Sequence, residues 1–285
     1  MRPIPARHLG CLTALSTTHE NHVMSDKLSR RNIDMPGNLA EEILRLFQQQ
    51  PQAMLKHPEV RNAITMLRLS GVSNDMIDVE KNVDDGAIEN AVEYNLRMLK
   101  NMKLHQNTLQ RPGILLNALL AIYFIHLNKQ KLKVLCIGPR TEAEFFMFMA
   151  EGFAAENLTG LDLMSYSEFV DVGDMHRMPY KNNSFDIVFV GWTLTYSKNL
   201  KKVADECIRV AKPGGYVAIG VESTPVASNQ AQHGVKLDSE RIIIKSTQEI
   251  LDLFEGHIHA VPFRHDVHRS LRDTIDMVMA VIELK

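Results

Sequence analysis

The sequence predicts an α/β fold in which a doubly wound, mostly parallel sheet follows a helical N-terminal region. The hydrophobic period is helical from about Asn38 to Lys129, and from Lys131 onward short apolar runs alternate with amphipathic segments. The run Ile-Val-Phe-Val at 187–190 is continuously apolar, as expected of a strand covered on both faces. The apolar run 133–137 ends in a glycine turn before a helical pattern. A nucleotide-type site opens in this way in doubly wound domains.

Caps and prolines predict where the helices of the N-terminal region begin. The predicted starts are a capping box at Asn38 and Glu41, a helix from Pro58 to Leu69, a third helix after Asp84-Asp85-Gly86 and a leucine-rich helix opened by Pro112-Gly113. We therefore expect residues 25–130 to form a helical region that precedes the sheet domain at 131–285.

Seven segments after Lys131 have the composition of strands. They are 133–137, 158–163, 168–172, 185–190, 216–221, 257–263 and 275–284. Helical patterns at 142–153 and 200–211 lie between them, which predicts parallel crossovers. The last two strands are joined by a stretch too short for a full crossover helix, so we expect them to pair antiparallel.

Composition limits the classes of function. The chain has 285 residues, 45% of them hydrophobic, and a formal net charge of -2, which disfavours a nucleic-acid-binding surface. Cys136 and Cys207 lie in apolar patterns and Cys11 is distant, so free thiols in a reducing, cytoplasmic compartment are expected. No apolar run is long enough for a membrane span. Residues 1–24 are interpreted as a disordered extension, with a transit peptide as the alternative. The oligomeric state is left open.

Polar residues follow the predicted strands, and ligands bind beyond the carboxyl ends of strands in open α/β sheets. Asp162 ends the second strand about 24 residues after Gly138, the spacing of a ribose-binding acid. Asp174 follows the third strand, where it would accept a hydrogen bond from an adenine amino group while Met175 packs on the ring. The simpler alternatives are a helix cap for Asp162 and a plain turn at Gly173-Asp174.

At these positions the chain resembles the class I S-adenosylmethionine-dependent methyltransferases. The resemblance lies in Val134–Gly138, Gly160-Leu161-Asp162, Gly173–Tyr180, Ser184–Val188 and Arg209–Gly215. It implies a Rossmann-like sheet of seven strands with the last strand antiparallel, S-adenosyl-L-methionine as cofactor, and a helical region that covers the substrate pocket. By matching position, Gly138 would approach the cofactor backbone, Asp162 the ribose, and Asp174 and Met175 the adenine.

The first motif departs from this family, because Arg140 and Glu142 stand where it usually has glycines. We hypothesise that Arg140 pairs with the cofactor's carboxylate and that Glu142 or Glu144 binds its ammonium. The alternative is that both glutamates only stabilise the first helical turn. The predicted cofactor-binding residues are Gly138, Pro139, Arg140, Glu142, Glu144, Asp162, Asp174, Met175, Gly191 and Trp192.

The candidate catalytic residues are His176, Tyr196 and Glu222, which would act as a base or orient the acceptor. Trp192 would form an aromatic wall or pack in the core. No metal site is predicted, because the C-terminal histidines lack a complete ligand set. The sequence therefore predicts a methyltransferase that acts on a small-molecule acceptor. The alternative is a non-catalytic binding or scaffold protein with a degenerate methyltransferase fold.

Overall fold

The computed structural model describes residues 39–83, 92, 106–223, 242–267 and 276–285. The chain forms two compact units, Met1–Pro51 and Gln52–Lys285. In the first unit the described part is helix α1 (Leu39–Gln49). The predicted extension at 1–24, the cap residue Asn38 and the third predicted helix apart from Val92 lie outside the described residues.

Only some of the helices before the sheet begin where the caps and prolines predicted. They are α2 (Pro51–Met54), α3 (Pro58–Ser70), α4 (Gln106–Leu120) and α5 (Tyr123–Asn128). Pro58 begins α3 as predicted. Pro112 does not open α4, because the helix already begins at Gln106 and runs through the proline. Proline within a helix forgoes one backbone hydrogen bond, and the packing of the following leucines offsets that loss. No helix in the described part of the chain is long and apolar enough to cross a membrane.

The described residues form a seven-stranded sheet, and this confirms the predicted fold class. In chain order the sheet strands are β2 (Val134–Ile137), β3 (Leu158–Asp162), β5 (Val170–Val172), β6 (Phe185–Gly191), β7 (Ala211–Ser223), β8 (Ile258–His265) and β9 (Asp276–Leu284). In space their order is β5-β3-β2-β6-β7-β9-β8. The first five in that order are parallel, and β9 is antiparallel to both of its neighbours.

Helices cover both faces of this sheet because successive strand side chains point to opposite sides. On β2, Val134 and Cys136 pack with α4 and with α6 (Ala143–Ala150), whereas Leu135 and Ile137 pack with α7 (Leu200–Val210) and α8 (Thr247–Asp252). Such double burial explains why the central strands are continuously apolar.

A short antiparallel ladder lies beside the main sheet. The strand β1 (Asp78–Val79) pairs with β4 (Met164–Ser165), and Glu80 N donates to Leu163 O at 2.8 Å. Because β4 begins two residues after Asp162, the ladder places the 78–80 segment next to the carboxyl end of β3.

Candidate active site

The carboxyl ends of four adjacent parallel strands meet at one edge of the sheet. The strand register aligns the residues there, and in sheet order they are Asp162, Gly138, Gly191 and Gly220. A carboxyl group therefore stands at the end of a row of three residues without side chains. We call Gly138, Gly191 and Gly220 the glycine row.

Gly138 makes the sharp turn out of β2. Its φ is 68°, in the left-handed region that favours glycine, and a Cβ there would overlap with the side chain of Thr193. Thr193 is held in place because its Oγ1 donates to Ile137 O at 2.9 Å. Pro139 follows and packs close to Gly160. The sequence predicted that the cofactor would approach the backbone at Gly138. In this structure the side chain of Thr193 makes that close approach.

Asp162 lies beneath the loop that follows Gly138. The backbone N–H of Arg140 donates to Asp162 Oδ2 at 3.2 Å, and Arg140 itself has a left-handed φ of 36°. Asp162 is buried, and this burial raises its pKa to about 6 although backbone N–H groups partly oppose the shift. The carboxylate is therefore positioned at the predicted place, with its first hydrogen bond made to the loop.

A small cavity lies between this loop and the β4 segment. Its volume is about 10 Å³, which is room for about one water molecule. Its lining is Arg140, Thr141, Asp162, Met164, Ser165, Tyr166, Ser167 and Val170. A ribose beside Asp162 would require this cavity to widen.

Glu142 is fully buried and already bound. Arg68 of α3 donates to both of its carboxylate oxygens, with Nη2 to Oε1 at 2.8 Å, and Ser167 Oγ donates to Oε1 at 2.7 Å. Its carboxylate is therefore satisfied by groups of the protein.

Glu144 differs from Glu142 in its surroundings. It lies in the first turn of α6 and is 7% exposed, and its Oε2 has no hydrogen-bond partner within the described residues. Its Oε1 lies 3.3 Å from where a Cβ on Gly191 would stand, so the carboxyl group faces the glycine row. Burial, and then the charge of Asp162, raise the pKa of Glu144 well above its usual value. The oxygen without a partner is suited to a hydrogen-bond donor of a ligand, and a cationic donor there would favour the ionised form of Glu144.

Asp174 and His176 form a buried hydrogen-bonded chain. Asp174 Oδ1 accepts from the backbone N–H of His176 at 2.8 Å and lies 2.6 Å from His176 Nδ1. His176 Nε2 lies 2.7 Å from Ser197 Oγ. Both ring nitrogens of His176 are thus engaged, which suits an orienting role better than proton transfer to a substrate. Met175 is partly buried and packs against the core on the α7 side of the sheet.

Trp192 and Glu222 are brought together by α4. The indole ring of Trp192 covers Gly220, and its Nε1 has no hydrogen-bond partner among the described residues. Arg111 of α4 lies over this ring, 6.0 Å from its centroid, and forms an ion pair with Glu222. Tyr196 lies nearby in sequence, in the 3₁₀ turn Leu194–Tyr196 that follows β6. Glu222 therefore stays a candidate for orienting the methyl acceptor, and Arg111 balances its charge.

Sequence reasoning did not include Arg68, Arg111, Ser167 or Ser197 in the site. The two arginines come from helices outside the motifs, and no local pattern marks them. Within the described ranges no group of three or more His, Cys, Asp or Glu side chains could hold a metal ion.

Comparison with known proteins gives a family for this site. The family described as "Methyltransferase domain" matches residues 135–219, which run from β2 into β7 and include Gly138, Gly191, Glu144 and Asp162. Residues 135–219 are therefore a methyltransferase domain. The family predicted from the motifs is thereby confirmed.

Two curated relatives match parts of the methyltransferase chain. It is 45% identical over 64 residues to a demethylmenaquinone methyltransferase of Desulfitobacterium hafniense, covering 22% of this chain and 25% of that protein. It is 29% identical over 139 residues to malonyl-[acyl-carrier protein] O-methyltransferase 1 of Coxiella burnetii, covering 47% of this chain and 46% of that protein. The chain thus spans less than half the length of either relative.

A solved structure shares the fold of the methyltransferase domain. The N-methyltransferase NodS from Bradyrhizobium japonicum, in complex with S-adenosyl-L-homocysteine, aligns with a TM-score of 0.50 at 15% identity. The alignment covers 69% of this chain and 99% of NodS. At this identity the likeness concerns the fold alone.

Proposed function

We propose that this protein is an S-adenosylmethionine-dependent methyltransferase that acts on a small-molecule acceptor. The observation that carries the proposal is a buried carboxyl oxygen of Glu144 that has no hydrogen-bond partner among the described residues and faces the glycine row. The names of the two curated relatives, which refer to demethylmenaquinone and to a malonyl group on its carrier, support a small acceptor.

The residues of the site fit the cofactor in charge and in backbone shape. Glu144 would bind the ammonium of its amino-acid part, because Glu142 is already satisfied by Arg68 and Ser167. Ionised Asp162 would accept from ribose hydroxyls, and Asp174 from the adenine amino group. When bound, the cofactor supplies a methyl group on a positively charged sulfur. The fit in volume requires the cavity beside Asp162 to widen from about 10 Å³.

On the acceptor side, the protein would orient a nucleophile and exclude water. Trp192 and Glu222, held by Arg111, stand at the ends of β6 and β7 and would form the wall against which the acceptor lies. His176 would orient Asp174 through its Nδ1, and Tyr196 stays a candidate for contact with the acceptor. Cytoplasmic localisation and the absence of nucleic-acid partners stay predictions.

The second candidate function is a non-catalytic scaffold with a methyltransferase fold. The observation that favours it is the closed cavity beside Asp162 together with the loss of loop glycines at Arg140 and Glu142. The two functions differ in one measurable property, which is cofactor affinity.

Isothermal titration calorimetry with S-adenosylmethionine and S-adenosylhomocysteine tests the proposal. We expect the full-length protein to bind both, and Glu144→Gln to weaken binding by about 10- to 100-fold, the effect of losing a hydrogen bond to a charged group. Glu156→Gln is the matched control, because Glu156 is exposed on a turn before β3, at the opposite edge of the sheet. No heat of binding with either ligand at millimolar concentration would reject the enzyme and favour the scaffold. Transfer of labelled methyl groups to pooled metabolites would then identify the acceptor.

A further inference from the structure

The loop between β2 and α6 is held by Arg68, which precedes the matched residues 135–219. Glu142, in this loop, has a fully buried side chain, while the side chain of its partner Arg68 is 55% exposed and lies on α3, 74 residues earlier. Arg68 binds the two carboxylate oxygens of Glu142 through two different guanidinium nitrogens. Two such hydrogen bonds fix the orientation of the carboxylate, whereas a single one would let it rotate.

The second contact to Glu142 comes from the other side of the loop. Ser167 donates to the same carboxylate, and Ser167 also accepts from the N–H of Phe169, so its position is fixed by the backbone ahead of β5. Glu142 thereby joins α3, the loop and the segment after β4. Its own backbone carbonyl accepts from Phe146 N at 3.1 Å in the first turn of α6, so the side-chain contacts also fix where that helix starts.

Arg140 and Glu142 stand at positions where the methyltransferases that this chain resembles usually have glycine. Glycine allows such a loop to turn sharply, and here the turn is made by Arg140 in a left-handed conformation. A non-glycine residue keeps this conformation only when its surroundings impose it. The contacts that do so are Asp162 to the N–H of Arg140 and the Arg68–Glu142–Ser167 group two residues later.

We propose that Arg68 is a positioning residue for the cofactor loop, residues 138–144. Through Glu142 it holds the loop in the shape that places Gly138, Arg140 and Glu144 around the amino-acid end of the cofactor. The assignment to the cofactor rests on the proposed function. The assignment to the loop stands on the contacts alone.

An ordinary surface ion pair is the simpler explanation, and the chain provides one for comparison. Arg45 and Glu42 pair within one turn of α1, and both are substantially exposed. Exposed pairs of this kind contribute little, whereas removing one partner of a buried pair leaves an uncompensated charge inside the protein. Arg68 and Arg45 therefore lead to different expectations for the same substitution.

The experiment compares Arg68→Ala, Arg68→Lys and Arg45→Ala in the full chain by amide hydrogen exchange and by calorimetry. We expect Arg68→Ala to speed exchange over residues 138–144 by about tenfold or more, with exchange over β7 unchanged. Dissociation constants for S-adenosylmethionine and S-adenosylhomocysteine should rise by about tenfold. Arg68→Lys should recover only part of the effect, since an ammonium cannot replace the two-pronged contact.

Labelling of the two buried thiols gives a second readout that needs no ligand. Cys136 lies two residues before the loop, and Cys207 lies on α7 against the other face of the sheet. Arg68→Ala should speed labelling of Cys136 relative to Cys207, and Arg45→Ala should change neither.

Wild-type exchange at 138–144 in Arg68→Ala would overturn the inference, as would equal acceleration throughout the sheet, which would indicate general destabilisation. If the wild-type protein binds no cofactor while Arg68→Ala still loosens the loop, the proposed function fails and the loop assignment stands. If the wild type binds cofactor and Arg68→Ala binds equally well, the positioning role is rejected and the proposed function stands.

Discussion

At the residue scale, the site combines two buried carboxyl groups whose ionisation the fold disfavours. Burial raises the pKa of Asp162 to about 6 and that of Glu144 well above its usual value. Oε2 of Glu144 also has no hydrogen-bond partner within the ranges that the structure describes. Such groups cost folding free energy, and a ligand that binds them recovers part of that cost. Glu142, two residues away and of the same type, has no such deficit because Arg68 and Ser167 bind it.

Asp162→Asn is expected to stabilise the protein at neutral pH while weakening cofactor binding. The raised pKa means that the folded state binds a proton more tightly than the unfolded state, so ionised Asp162 is destabilising above pH 6 and neutral Asp162 is not. The shift from 3.8 to about 6 corresponds to about 3 kcal/mol, as an upper value. The gain in unfolding free energy should therefore be complete above pH 6 and vanish below about pH 4.

Urea unfolding of the wild type and Asp162→Asn between pH 4 and pH 8 measures this difference. Asp186→Asn is the control, because Asp186 accepts from Lys212 Nζ at 2.7 Å and from Lys133 N at 2.8 Å. Asp186→Asn should instead lower the free energy of unfolding, because it removes the charge that Lys212 Nζ contacts. A difference for Asp162→Asn that does not change with pH would contradict the argument.

At the element scale, α4 connects the sheet core to the acceptor side of the site. Leu115 and Leu119 are fully buried against the sheet, while Arg111, one turn earlier, contacts Trp192 and Glu222. A helix start at Pro112 would have excluded Arg111 from the helix. The helix already includes Gln106, and it carries Arg111 to Trp192 and Glu222 at the ends of β6 and β7.

Arg111→Met is expected to impair the acceptor half of the reaction selectively. Methionine keeps much of the apolar stem but removes the ion pair with Glu222 and the cation over Trp192. We expect the acceptor kcat/KM to fall by about tenfold, the equivalent of about 1.4 kcal/mol. Cofactor affinity by calorimetry should stay within about twofold, since the ion pair and the ring contact of Arg111 lie at the ends of β6 and β7, whereas Asp162 ends β3. A loss of cofactor affinity equal to the loss of kcat/KM would contradict this division.

At the scale of the whole molecule, the helices before Lys131 are not all an added cover. Leu115, Leu119 and Ile125 are each fully buried in the core on the α6 side of the sheet. Full burial of such side chains contributes about 1.5–3 kcal/mol each, a large part of the 5–15 kcal/mol that stabilises a typical domain. The structural unit therefore extends well ahead of the matched residues 135–219.

Two truncated chains test this extension. A chain of residues 106–285 keeps α4 and α5 and should unfold cooperatively on heating. A chain of residues 131–285 lacks both helices and should show no cooperative transition, because one face of β2 and β6 loses the part of its cover that α4 and α5 supply. Circular dichroism during heating measures both. Cooperative unfolding of the shorter chain at the same temperature as the longer one would show that the boundary at 131 is the correct one.

The fold class and the place of the site follow from the sequence because they depend on local patterns. Continuous apolar strands, the turn at Gly138 and the acids at Asp162 and Asp174 each reflect their own few neighbours. The structure confirms the fold class, and the match at residues 135–219 confirms the family. The roles of the individual site residues stay predictions for the experiments above.

Tertiary structure alone decided which glutamate is bound and which is not, and which arginines belong to the site. Arg68 binds Glu142, which is 74 residues later in the sequence. Arg111 pairs with Glu222 from α4, a helix that the sequence wrongly predicted to begin at Pro112. The physical reason is that burial and pairing are properties of the packed chain. Glu142 and Glu144 are the same residue type two positions apart. Only the packing around them separates a carboxylate whose two oxygens are bound by Arg68 and Ser167 from one whose Oε2 has no hydrogen-bond partner in the described part of the chain.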